Sequence, residues 1–164
     1  MNQARPMPPR PKGAKIEQTV EIDAPASVVW EVLSDVGGWG RWNPVYPEAS
    51  GSIGVGDTIE IMIALEGMKP QKSSTKVFHS LPGQVLQFGT PAFAGLAHAT
   101  RYIEIEPLSD SSCRVVNGEI FGRLLGPLLV RLIGAKLDAG MKGQNAGLKT
   151  ASEAKWRERA ADAL

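Results

Sequence analysis

A chain of 164 residues suits one domain that buries most of its apolar surface around one core. At 43% hydrophobic and 21% charged residues its composition is not that of a disordered chain, and a net charge of +1 is too balanced for a dedicated nucleic-acid binder. The single cysteine, Cys113, excludes an internal disulfide and a cysteine metal cage, and agrees with an expected cytoplasmic location.

Residues 1–15 carry Arg5, Arg10, Lys12 and Lys15, four prolines and no acid. No apolar stretch follows these cations, so they do not read as a signal peptide, and the proline density predicts a flexible basic tail. In 16–22, Ile16, Val20 and Ile22 share one face with the polar Gln18, which predicts a strand with one wet side. Asp23-Ala24-Pro25 then opens a helix, since proline at the first helical position gives up no hydrogen bond and Asp23 suits the positive helix end. Val28, Val29, Val32, Leu33 and Val36 form its apolar side, and Gly37-Gly38 stop it.

An aromatic-rich connection follows, Trp39-Gly40-Arg41-Trp42-Asn43-Pro44, in a chain only 6% aromatic. Beyond it the pattern alternates every two residues. Ile59, Ile61, Ile63 and Leu65 share a face, and further strands are predicted at 73–81, 84–89, 97–106 and 113–121. Gly67, Pro82-Gly83, Pro91 and Ser109-Asp110-Ser111 supply turns, so the strands form an antiparallel meander. Cys113 then reads as a small residue at a strand start, with no base beside it in sequence to activate a thiol.

From about Pro127 the period becomes helical: Leu129, Ile133, Leu137, Met141, Gln144, Leu148 and Ala151 recur every three or four residues over about 25 to 30 residues. No stretch reaches the roughly 18 apolar residues of a membrane span. The nearest, 124–137, is broken by Gly126, Pro127, Arg131 and Lys136. A lone sheet has to cover its apolar face, and this helix is the one predicted element long enough to do so. The expectation is one α+β domain over 16–157, with tails at 1–15 and 158–164.

The strand at 16–22 with Ala24-Pro25 and Val29-Trp30 after it resembles the opening of the START-like, or SRPBCC, superfamily. The 39–44 connection, Glu104-Ile105-Glu106-Pro107, Glu119-Ile120-Phe121-Gly122 and a long last helix with Leu148-Lys149 extend the resemblance over roughly 15–156. Within the superfamily the chain is most similar to the polyketide cyclase/dehydrase-like group. The resemblance implies a helix-grip fold, a curved antiparallel sheet wrapped around the C-terminal helix. It implies much less about activity, because members bind lipids, hormones, polyketides or partner proteins.

Side-chain parity puts Arg101 on one face with Ile103 and Ile105, and Glu119 with Val115, Asn117 and Phe121 on the neighbouring strand. The resemblance turns both faces toward the helix, so the two charges are expected to meet inside. They then form a structural ion pair, anchor a ligand carbonyl or hydroxyl, or act as catalytic residues, Glu119 moving a proton and Arg101 steadying an enolate-like oxygen. His79, sharing parity with Val77 and Leu81, is expected inward and His98 outward; two histidines on separate strands make no metal signal. Trp39, Trp42 and Asn43 either plug the end of the core or rim the mouth of a pocket. Gly140, Gly143 and Gly147, with Gly134 before them, serve either close approach of the helix or free volume beside Met141 and Gln144. Arg123, Arg131 and Lys136 flank the apolar 124–133 segment, as the solvated edge of a core helix or as a membrane-surface face.

The leading expectation is a module binding a small hydrophobic or amphipathic molecule, lipid or polyketide-like, in an internal pocket. Its expected wall comprises Trp39, Trp42, Asn43, Ile61, Ile63, Phe88, Arg101 and Ile103, then Asn117, Glu119, Phe121, Ile133, Leu137, Met141 and Gln144. The alternatives are a cyclase or dehydratase using Arg101 and Glu119, and a pocketless protein-interaction module. No metal or other cofactor, no nucleic acid and at most peripheral membrane contact are expected, with the oligomeric state left open.

Overall fold

The computed structural model describes residues 6–92, 97–122 and 124–163; Arg5 and Arg123 of the predicted basic flanks lie outside them. Strand β1 (Ala14–Ile22) leads into helix α1 (Ala26–Ser34) and a 3-10 turn at Val36–Arg41. Strands β2 (Glu48–Gly51), β3 (Thr58–Ile63), β4 (Gln71–Leu81), β5 (Val85–Ala92), β6 (Ala97–Ser109) and β7 (Ser112–Gly122) follow, and helix α2 (Gly126–Asp162) closes the order. The seven strands form one antiparallel sheet ordered β1-β7-β6-β5-β4-β3-β2, with α2 packed against β1, β7 and α1. This is the expected helix-grip arrangement.

Three apolar clusters fill the grip. Ile22, Val28, Val29, Leu33, Ile105, Val115 and Leu148 join α1 to the sheet and the middle of α2. Val36, Trp39, Tyr46, Ile59, Val77 and Phe88 fill the end under the 3-10 turn. Ile16, Phe121, Leu129, Leu137 and Met141 seat the first half of α2. Gln18, the polar interruption of β1, also serves α2: its side-chain amide donates to Asp138.

Several local expectations are corrected. Gly37-Gly38 do not end the helical path; α1 stops at Ser34 and the chain tightens into a 3-10 turn through both glycines. Pro25 occupies the cap position, not the first helical one. Strand β2 has no apolar alternation to announce it and forms because Ala49 pairs with Ile61 of β3. β5 runs through Pro91, which pairs with His98, so Pro91 is not a turn. A bulge between Val77 and His79 reverses the parity of β4, leaving Phe78 45% exposed and His79 exposed instead of inward. α2 continues to Asp162, through most of the predicted C-terminal tail.

One patch of the convex face is covered too. Tyr102 is fully buried there, its ring lying over Gly118, where an added Cβ would stand 2.2 Å from the ring. Arg10 lies across that ring at 4.3 Å and forms ion pairs with Glu17 at 2.9 Å and Glu104 at 2.6 Å. The basic N-terminal segment is therefore tied to the sheet at Arg10 and is not free along its whole length.

Candidate functional site

Arg101 on β6 stands directly opposite Glu119 on β7, and the hairpin closed by 109–112 fixes that register. Its Nη1 donates to Glu119 Oε2 at 3.2 Å and its Nη2 to Asn117 Oδ1 at 2.9 Å, while Nη2 also donates to Gln144 Oε1 from α2. The Tyr46 ring lies 5.7 Å from the guanidinium. The Arg101 side chain is 5% exposed and that of Glu119 14%. Burial works against the guanidinium charge, but Tyr46 and Glu119 favour it and prevail, so Arg101 is held charged. Burial also pushes the Tyr46 hydroxyl up to about 12, keeping it protonated at neutral pH.

Behind the pair runs a polar chain that ties sheet, helix and the 42–46 connection together. Gln144 Nε2 donates to Asn43 Oδ1 at 3.0 Å, and Asn117 Nδ2 donates to Asn145 Oδ1 at 3.0 Å. Asn43 Oδ1 also accepts the backbone N–H groups of Val45 and Tyr46, each at 3.0 Å. Asn43 thus folds its own turn and receives α2 with the same oxygen.

A cavity of about 830 Å³ opens between the first half of α2 and the concave side of β3 to β7. Of the expected wall, Ile61, Ile63, Phe88, Arg101, Glu119, Phe121, Ile133 and Leu137 line it. Trp39, Trp42, Asn43, Ile103, Asn117 and Gln144 do not; they surround an adjoining crevice of about 10 Å³, room for no more than one water, which shares Tyr46, Phe88 and Arg101 with the cavity. Met141 is packed solid in the core, 1% exposed. Sequence reasoning missed Tyr46, Leu65, Thr75, Thr90 and Leu129, all on the cavity wall. Thr75 was legible by parity with Ser73, but Tyr46 lies in a connection with no period to place it.

The aromatic pair plugs the end of the core. Trp39 Nε1 donates to the Leu33 carbonyl at 2.9 Å, and the ring stacks on Tyr46 with centroids 6.0 Å apart and meets Trp42 edge-on at 6.5 Å. The helix glycines serve close approach. A Cβ at Gly147 would lie 1.8 Å from the Trp42 carbonyl oxygen, and one at Gly143 3.0 Å from Pro44. The missing side chains seat the 42–45 connection against α2; they leave no room for a guest.

These features define a helix-grip protein with a largely apolar, open-mouthed cavity and one ion pair on its wall. The chain belongs to the "Polyketide cyclase / dehydrase and lipid transport" family, whose profile matches residues 13–153. Among solved structures it is similar to the Zhui aromatase/cyclase from a Streptomyces species, at 18% identity and a TM-score of 0.70, over 85% of this chain and 93% of that one. It is also similar to a protein from Thermus thermophilus, at 15% identity and a TM-score of 0.69, over 87% and 99% of the two chains. Norcoclaurine synthase from Thalictrum flavum matches at 15% identity and a TM-score of 0.64, over 85% and 93%. At these identities the likeness carries the fold and not the chemistry. No curated protein matches the sequence. Among the described residues no helix is long and apolar enough to cross a membrane.

Proposed function

We propose that the protein encloses a small apolar or amphipathic molecule, lipid or polyketide-like, with its body against Ile61, Phe121, Ile133 and Leu137. One hydrogen-bonding end of the guest meets Arg101 and Glu119. The observation that carries this reading is the cavity of about 830 Å³, a volume typical of small-molecule sites, whose mostly apolar wall carries polar groups at Arg101 and Glu119 and along 71–75. An ion pair already bonded to itself offers hydrogen bonds without net charge. A carbonyl or hydroxyl therefore fits better than a free carboxylate, which would have to displace Glu119.

The test uses the neutral fluorescent probe N-phenyl-1-naphthylamine, with Ala99 as the point of obstruction because it lines the cavity between Thr90 and Phe121. Saturable one-to-one binding is expected for the wild type. Ala99→Trp, which puts an indole into the hollow, is expected to weaken binding at least about tenfold. Equal binding by both proteins, each folded by circular dichroism, would refute the cavity as the site.

A second reading, cyclase or dehydratase, is favoured by one observation: Tyr46 shares the cavity wall with Arg101 and Glu119. Glu119 would take a proton from a carbon beside a carbonyl while Arg101 steadied the enolate oxygen. The enolate carbon would then attack a second carbonyl, and Tyr46 would give its proton to the alkoxide formed. Product formed from a linear polyketide mimic by the wild type and lost in Glu119→Gln, with probe binding intact, would establish this reading over binding alone.

A further inference from the structure

The outward side of a surface helix is ordinarily polar. The approach to α2 and its first turns depart from this: Leu124 is 90% exposed, Leu128 50% and Leu132 66%. Leu128 and Leu132, four apart on α2, share one flank, and Leu124 lies just before the helix begins. Met68, 38% exposed, stands across from them on the β3–β4 connection. Leu128, Leu132 and Met68 also line the cavity, so the exposed apolar surface continues inward through its mouth.

The charges around this mouth are mostly of one sign. Arg131, Lys69 and Lys72 are exposed, and Lys136 reaches across to donate to the Glu66 carbonyl oxygen at 2.9 Å. Residues 121–137 contain no acid, and Glu66 is the one acid in 64–72. A second copy of the chain would oppose these cations to their own kind. An acidic protein would match the charge, but it needs a preformed pocket for a leucine standing 90% clear of the surface. A fluid acyl boundary accepts such side chains without one.

We propose that the cavity mouth docks on an anionic bilayer surface. The three leucines and Met68 enter the boundary between headgroups and acyl chains, and the four cations meet lipid phosphates. Docked this way, the cavity opens onto the membrane, and an apolar guest passes between the two without crossing water. The proposal does not depend on the identity of the guest, and its test needs none.

The full chain is sedimented with vesicles of phosphatidylcholine alone and of phosphatidylcholine with phosphatidylglycerol. Strong partitioning onto the anionic vesicles, little onto the neutral ones, and loss at high salt are expected. Leu124→Gln, a change outside the cavity wall, is expected to lower partitioning roughly tenfold, and Arg131→Gln roughly fivefold. Circular dichroism and probe binding of both variants should match the wild type. Failure to bind anionic vesicles, or equal binding to neutral ones, overturns the proposal. So does a loss in Arg131→Gln without one in Leu124→Gln, the pattern of charge-driven adsorption with no leucine inserted. A concentration-dependent dimer dissolved by Leu124→Gln would assign the leucines to a second copy instead.

Discussion

Arg101 is the residue on which the interior polar network converges. Its guanidinium joins Glu119, Asn117 and Gln144, and its Nε has no hydrogen-bond partner among the described residues. Truncation strands Glu119 Oε2 and Asn117 Oδ1 and leaves Gln144 Oε1 only the Asn117 amide at 3.4 Å, and an uncompensated carboxylate is the costly product. Arg101→Met is expected to lose about 3 to 5 kcal/mol in urea unfolding. Glu119→Gln keeps a carbonyl acceptor for Nη1 but leaves the Arg101 charge, on a side chain only 5% exposed, without its counter-ion, so its loss should be of similar size, about 3 kcal/mol. The pairing of Arg101 with Glu119 was legible from strand parity and the 109–112 turn, because a hairpin converts sequence spacing into register. The Asn43–Gln144 bond was not, since it joins positions brought together only by the placement of α2 on the 42–46 connection.

At the scale of elements, α2 shows how sequence chemistry sets an approach distance. Each interior glycine costs about 1 kcal/mol of helix propensity, and here the return is contact with the connection that follows the 3-10 turn. Gly147→Ala would drive a methyl group into the Trp42 carbonyl. It is expected to destabilise by roughly 1 to 3 kcal/mol despite the better helix propensity of alanine. Gly134→Ala meets only ordinary contacts with Ile16 and Val130 and should be neutral or stabilising; chemical denaturation of the two variants checks the contrast. The helical period of α2 and most strands could be read because apolar recurrence records which side is buried. β2 and the β4 bulge could not, because one is held by its neighbour's hydrogen bonds and the other changes parity within a strand. The tryptophans and helix glycines are equally compatible with a cavity on sequence alone, because residue type does not say which neighbour is close.

For the whole molecule, ionised carboxylates hold separate parts of the chain together. Burial acts to raise the Glu17 pKa, but the Tyr102 hydrogen bond and the charges of Arg10 and Lys15 prevail and hold it below its ordinary 4.5. Glu31, bound by Arg159, and Glu153, bound by Lys149, are lowered likewise. A carboxyl whose folded value is depressed contributes stability that is complete above its ordinary range and is lost as pH falls through the folded value. The melting temperature should therefore be flat near neutrality and fall below about pH 4.5. Glu17→Gln should flatten part of that acid limb and lower the plateau. An unchanged acid limb in Glu17→Gln would remove the Arg10 contact from the account of stability.

The pairing of β1 with β7, in which Ala14 meets Phe121 and Ile22 meets Cys113, has a consequence for biosynthesis. β1 is made before the strand it pairs with, so the meander from β2 to β7 emerges before β1 can join its edge. Local hairpins form early, while β1 and the Arg10 contact across Tyr102 are added only after residue 122 has been made. The hollow is therefore completed late, when α2 closes over the concave side of the meander.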